Sequence, residues 1–209
     1  MIVTELRPRR HRLTALVLAG VEQPIPVDTE TLMLSGIGVG DDLSQAQLDE
    51  LLDRSQRNRA YEKALYLLEY RAHSRAELLQ KVRREYPLPA AEEAVERVAA
   101  LGLIDDEAFA RDYARELFES KRYGARRVEQ ELRRRGIDGE IIDRVLAEQT
   151  ADPVAQITAI LQKKYTPIPT DPKALAKVLA AMVRRGYEYG QVRQALLQLT
   201  DSEIEDDTL

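Results

Sequence analysis

Residues 124–136 read GARRVEQELRRRG, and two other stretches of the chain line up with them. Ser74–Tyr86 (SRAELLQKVRREY) lies 50 residues earlier and Ala174–Gly186 (ALAKVLAAMVRRG) lies 50 residues later. Aligned on their last residues, the three carry apolar pairs at Leu78/Val82, Val128/Leu132 and Val178/Met182. A separation of four puts both members of a pair on one helix face. Each stretch therefore reads as a short amphipathic helix with one buried stripe, ending on a basic pair (Arg83-Arg84, Arg133-Arg134, Arg184-Arg185). Helical patterns precede the three at 60–71, 106–121 and 153–164, and others follow at 90–101, 139–148 and 190–199. The followers share a spacing of three at Val95/Val98, Ile142/Val145 and Val192/Ala195. The unit is three helices, repeated three times, and such a period marks an array in which each unit buries its open face on its neighbour.

The expected fold is mostly α: three tandem three-helix repeats forming an elongated curved array, with a small β-containing N-terminal segment. Residues 1–56 are assigned to a β-hairpin or small sheet plus the start of the first helix. Residues 57–104, 105–150 and 151–200 are assigned to the repeats, and 201–209 to an acidic disordered tail. Punctuation supports these limits. Ser74 with Glu77 three residues on is a capping box, Pro87 and Pro89 stop the helix before them, and Gly102 closes the next. The end, DSEIEDDTL, holds five acids and no base, the pattern of a solvated tail. At the other end, Ile2–Leu6 and Leu13–Leu18 read as strands, with Arg7-Pro8-Arg9-Arg10 as a turn and edge marker between them. A helix starts over Gln45–Arg54, capped by Ser44.

Bulk properties exclude several classes. The chain has no cysteine, which rules out disulfides and thiolate chemistry and fits a reducing cytoplasm. No run approaches the ~18 apolar residues of a membrane-spanning helix, so no membrane role is expected. Catalytic patterns are missing too. His11 and His73 stand 62 residues apart without nucleophile or carboxylate motifs and read as surface residues. The glycines of 36–42 form neither phosphate-binding signature and read as a loop. Asp41-Asp42 and Asp105-Asp106 could hold a metal through carboxylate oxygen, but each precedes a helix whose free N–H groups they suit. No enzyme, cofactor or metal site is expected.

What remains is binding. Residues 120–136 hold seven Lys or Arg against Glu129 and Glu131, in a chain whose formal net charge is −5. Basic charge is thus concentrated locally, where it could serve a polyanion or an acidic protein surface. Tyrosines outnumber phenylalanines nine to two and several adjoin basic residues. They fit either stacking on single strands or half-buried repeat joints with wet hydroxyls.

Three linked motifs resemble the RecX family. They are Ala64-Leu65-x-Leu67-Leu68 with Arg71-x-x-Ser74-x-x-Glu77-Leu78-x-x-Lys81; Leu101-x-x-Ile104-Asp105-Asp106-x-x-Phe109-Ala110-x-x-Tyr113; and Gly124-x-x-Arg127-x-x-x-Glu131-Leu132-x-x-x-Gly136-Ile137. The match is close over about 57–150 and looser in the third repeat, which lacks the Asp-Asp-x-x-Phe-Ala signature. The resemblance implies a bacterial cytoplasmic regulator that binds the RecA recombinase and its filament on single-stranded DNA; a monomer is expected. It implies damping of strand exchange, ATP hydrolysis and the co-protease activity behind the SOS response; the chain's own acidic balance and tail make direct DNA contact secondary. It implies framework roles for Asp105, Asp106, Phe109, Ala110, Tyr113, Gly124, Leu132 and Gly136. It also implies a contact surface of Lys121, Arg122, Arg126, Arg127 and Arg133. The alternative is a sequence-specific regulator of helix-turn-helix type, with Arg133–Ile137 as its turn.

Overall fold

The computed structural model describes residues 1–165, 167–169 and 171–206, with side chains described as far as 199. The described chain divides into two compact units at Asp105/Asp106.

The first unit opens with an antiparallel three-stranded sheet in the order β1-β2-β3, formed by β1 (Val3–Arg9), β2 (Leu13–Leu18) and β3 (Ile25–Asp28). Arg7, Pro8 and Arg9 are paired strand residues rather than a turn. Proline is tolerated there because β1 is an edge strand. The reversal lies at His11 and Arg12, both left-handed at φ 60° and 55°. Consecutive positive φ values match the twist of a hairpin. Asp28 ends β3 and caps α1 (Thr29–Ser35), its carboxylate accepting the Thr31 N–H and hydroxyl and the Asn58 amide, each at 2.8 Å.

Helix α2 runs unbroken from Gln45 to Tyr70, where the sequence suggested a helix over 45–54 and a second from 60. The polar stretch between them, SQRNR, looks like a joint but holds no helix breaker. Ser55 is buried and its hydroxyl accepts the Asp28 N–H at 2.8 Å, so two of these polar residues are anchors for the sheet. The first half of α2 presents Leu48 and Leu51 to a core with Val3, Leu16, Leu18 and Val27. Its second half presents Ala60 and Ala64 to the core of the first repeat, beside Ala90, Ala91 and Ala94. Alanines on both sides let α2 and α4 (Leu88–Ala100) approach closely, while α3 (Arg75–Val82) buries Leu78 and Val82.

The second unit holds the other two repeats: α5 (Asp106–Glu119), α6 (Ala125–Arg134), α7 (Gly139–Ala147), then α8 (Pro153–Lys164), α9 (Pro172–Arg184), α10 (Tyr189–Asp206). The apolar pairs that define the period are buried in all three middle helices, as are the spaced pairs of all three following helices. In the second and third repeats the middle helix closes in the same way. Gly136 (φ 71°) and Gly186 (φ 94°) turn left-handed, and the next residue donates back to the helix, Ile137 to the Leu132 carbonyl at 3.2 Å and Tyr187 to that of Met182 at 3.3 Å. Only glycine takes this conformation without a Cβ penalty, and the following apolar residue is drawn into the core. Helix α10 continues through Asp206, into the stretch expected to be a disordered tail; residues 207–209 lie outside those described.

One histidine departs from expectation. His11 is exposed, but His73 is buried just ahead of the Ser74 cap of α3. Its Nδ1 lies 2.8 Å from the Arg71 carbonyl, so it carries the proton, and Nε2 has no partner. Burial pushes its pKa below the ordinary value, outweighing the carbonyl contact, with Arg71 and Lys81 adding to the depression and Glu77 opposing it. A histidine that resists protonation when folded stabilises the fold most above its unfolded pKa of about 6.5, and that stability is lost as pH falls below it. The urea midpoint should therefore fall between pH 7.5 and 5.5, and His73→Asn should flatten the slope; parallel slopes would show the ring to be wet.

Candidate functional site

The basic segment is assembled from the end of α5, the connection to α6, and α6 itself. Ser120 and Lys121 both donate to the Glu116 carbonyl as α5 closes, and Arg122 is left-handed at φ 53°, an uncommon conformation for a branched-free but long side chain. Lys121 and Arg122 are exposed at this bend. On α6, Val128 and Leu132 face inward at 0% exposure, so the arginines are forced outward.

There they meet acids. Arg126 pairs with Glu188 at 3.1 Å, Arg127 with Glu131 at 2.7 Å and Arg133 with Glu129 at 2.9 Å. Arg134 shares Glu131 at 3.0 Å. Exposed pairs of this kind contribute roughly 0–1 kcal/mol each. Glu129 and Glu131 belong to α6 itself, and Glu188 is the one acid brought to it from elsewhere in the chain. Arg127 also lies with its guanidinium 5.7 Å from the Tyr123 ring centre.

Lys121 and Arg122 have different neighbours. Lys163 and Lys164, from the last turn of α8, and Arg185, which caps α9, line one recess with them. Nothing in the linear sequence joins 121 to 163 and 185. The period of 50 does not join them either, since it maps Lys121 onto Asp171 and Arg185 onto Arg135.

A backbone weld holds this junction. The Gly124 N–H donates to the Arg185 carbonyl at 2.9 Å. A Cβ on Gly124 would stand 2.4 Å from the Gly186 carbonyl carbon and oxygen, and one on Gly186 would stand 2.4 Å from the Arg127 Cβ. Glycine is needed at both positions because two backbones touch. Around the weld, Arg185 donates to the Lys121 carbonyl at 3.2 Å. The buried Tyr187 hydroxyl donates to the Arg122 carbonyl at 3.2 Å, with the Gln156 amide oxygen 3.4 Å away. Burial raises the Tyr187 pKa, which keeps that hydroxyl a donor. Tyr187 thus follows the half-buried-joint reading of the tyrosines, whereas Tyr66 and Tyr70 are exposed.

The remaining framework residues take structural places. Ala110 is fully buried; Phe109 is half-buried and meets Tyr113 with ring centres 5.9 Å apart. Arg135 lies over the other ring at 4.9 Å. Asp105 precedes α5, and Asp106 and Glu107 occupy its first turn, where carboxylates suit the positive dipole end. Gly136 and Leu132 form the close of α6. Asp41 and Asp42 do not cap a helix: an Asp41 carboxylate oxygen accepts the Gly38 N–H at 2.8 Å, and Ser44 is the cap. Among the described residues, no group of three His, Cys, Asp or Glu side chains is placed to hold a metal ion, and no helix is long and apolar enough to cross a membrane.

Residues 60–97, 105–146 and 151–196 match, in order, the first, second and third three-helix domains of RecX. The chain belongs to the RecX family. Similar proteins include the regulatory protein RecX of Halorhodospira halophila, 35% identical over 134 residues covering 63% of this chain and 83% of the relative. That of Mycolicibacterium vanbaalenii is 34% identical over 152 residues, covering 68% and 82%. A crystal structure of a regulatory protein RecX has the same fold, with a TM-score of 0.65 at 21% identity over 96% of this chain and 98% of that one. The glycine weld joins the second and third RecX domains.

Adding a methyl group there should be costly. Gly124→Ala should destabilise by about 1–3 kcal/mol through overpacking against backbone, read as a lower urea midpoint. Gly139→Ala, at an open position in the same unit, should leave the midpoint unchanged or raise it. Equal effects of the two substitutions would show that the weld opens freely.

Proposed function

We propose that this chain is a non-enzymatic regulator that binds the RecA recombinase and its filament on single-stranded DNA. Binding lowers strand exchange, ATP hydrolysis and co-protease activity, and so acts in DNA repair and the SOS response. The observation that carries this reading is membership of a family of regulatory proteins, with all three of its domains present in order. The chemistry of the chain agrees. It offers no thiol, its two histidines are far apart in sequence, and one of them is buried. Regulation therefore works by binding a filament and shifting its assembly. The working form is a cytoplasmic monomer, and RecA supplies most of the affinity, with DNA contact secondary in an acidic chain.

The helix-turn-helix alternative has a specific difficulty. The glycine turn at Gly136 is present and joins α6, whose Gln130 is exposed as a base reader would be, to α7, which holds the second-helix place of such a motif. Its exposed charged side chains are Glu140, Asp143 and Arg144, and Arg144 pairs with Glu107 at 3.3 Å. Such a face sets two acids against phosphate, and its one arginine is already paired.

Added to RecA on single-stranded DNA in amounts comparable to the filament, the protein should lower ATP hydrolysis and repressor cleavage together, and should sediment with the filament. Unchanged hydrolysis with the protein left in the supernatant would remove this function. Selective binding to one duplex sequence would install the alternative.

A further inference from the structure

The first unit carries basic charge that its own fold does not use. Residues 7–12 read RPRRHR, four arginines and a histidine in six positions, all of them exposed where β1 turns into β2. No acid occurs from Leu6 to Val21. Arg7 pairs with Glu5, and Arg12 pairs with Glu30 at 3.2 Å and with Glu62 on α2. Among the described residues, Arg9 and Arg10 have no acidic partner. Asp41 and Asp42 adjoin the Val3 end of β1, six residues along the strand from Arg9, or about 20 Å.

A structural purpose accounts for only part of this cluster. Charge and proline blunt an edge strand against pairing with a second sheet, which suits Arg7, Pro8 and Arg9. The turn itself needs another reason. Consecutive positive φ values favour glycine and asparagine, yet His11 and Arg12 hold them at 60° and 55°. Cationic side chains are thus kept at the turn against a backbone cost, and strain of that kind gathers at functional positions. The turn is also held still. The Thr29 N–H donates to the Arg12 carbonyl at 2.9 Å, and the Arg12 side chain is tied to α1 and α2. Arg12 is therefore an anchor, and Arg9 and Arg10 are presented on a fixed base.

We infer that the β1–β2 turn binds the sugar-phosphate backbone of a nucleic-acid duplex, with Arg9 and Arg10 on phosphate and no reading of bases. The cations are arginines, since residues 1–60 contain no lysine, and the guanidinium fork matches phosphate oxygens in pairs. A protein partner or a single strand would call for aromatic anchors, which fill interface cores and stack on free bases. Residues 1–60 contain no Phe, Tyr or Trp. A convex turn also lacks walls to track a flexible strand, whereas a duplex presents its phosphates in a rigid, closely spaced row. This contact stands apart from the filament binding of the proposed function, and, selecting no sequence, from the helix-turn-helix alternative.

The test uses the full chain, without recombinase, and fluorescence anisotropy of a labelled DNA duplex of mixed sequence. Each phosphate neutralised on a duplex contributes about 0.9 to the slope of log K against log salt. Arg9→Gln with Arg10→Gln should therefore reduce the slope by about 1.8 and weaken binding about tenfold at low salt. The urea midpoint should stay where it is; a lower one would show the two side chains to be partnered within the fold and overturn their assignment. Lys173→Gln with Lys177→Gln, an equal charge change at exposed positions of α9, should leave both slope and affinity unchanged. On the corresponding single strand the arginine variant should bind as the parent chain does. Equal losses in the two double variants, an equal loss on duplex and single strand, or no duplex binding by the parent chain would overturn the inference. A second arm uses the recombinase filament on single-stranded DNA with no duplex present. There the arginine variant should lower ATP hydrolysis as much as the parent chain, and weaker inhibition would reassign the turn to a protein contact. If neither chain inhibits, the regulatory role fails while the duplex site stands on the binding data.

Discussion

The middle helices of the three repeats are short, and α6 has only ten residues. A helix of that length is marginal in water by itself, because nucleation costs more than a few internal hydrogen bonds return. Its existence depends on burying Val128 and Leu132, both fully excluded from solvent, against α5 and α7. Everything else about the segment follows. The inward pair fixes the rotation of the helix, the rotation sends the arginines outward, and the glycine close at Gly136 aims the chain into α7. Leu78 with Val82 and Val178 with Met182 impose the same constraint in the other repeats.

This is why the fold was readable from the sequence. A buried pair at a spacing of four is a local pattern, and three copies at one offset identify the architecture without knowledge of any contact. Non-local chemistry was not readable. Glu188 stands 62 residues from Arg126, so nothing local shows that Arg126 is paired. Lys163 and Lys164 belong to a helix read only as the opening of the third repeat, and they become neighbours of Lys121 because α8 ends beside α5. His73 looked like a surface residue because charged neighbours surround it in sequence, yet it packs beneath the turn that starts α3. The SQRNR stretch of α2 looked like a joint because its polar side chains point toward a partner, Asp28, that lies far back along the chain.

The weld and the recess depend on one another. Gly124 and Gly186 allow two backbones to touch, and that contact brings Lys121 and Arg122 to the ends of α8 and α9. A bulkier residue at either glycine would separate the repeats and disperse the charge with them. The two glycines, which carry no chemistry, therefore set the charge density of the surface. Tyr187 works on both sides of this arrangement, with its ring in the core of the third repeat and its hydroxyl on the bend of the second.

Helix α2 has a consequence for how the first unit comes apart. One continuous rod of 26 residues belongs to the core of the sheet at one end and to the core of the first repeat at the other. A limit drawn between residues 56 and 57 falls inside it. Cutting there would leave two helix stumps, each deprived of the hydrogen bonds that cross the cut and of the anchors at Ser55 and Asn58. The sheet and the first repeat therefore share one cooperative unit of unfolding, and the N-terminal segment serves that repeat as a splint rather than as an appendage.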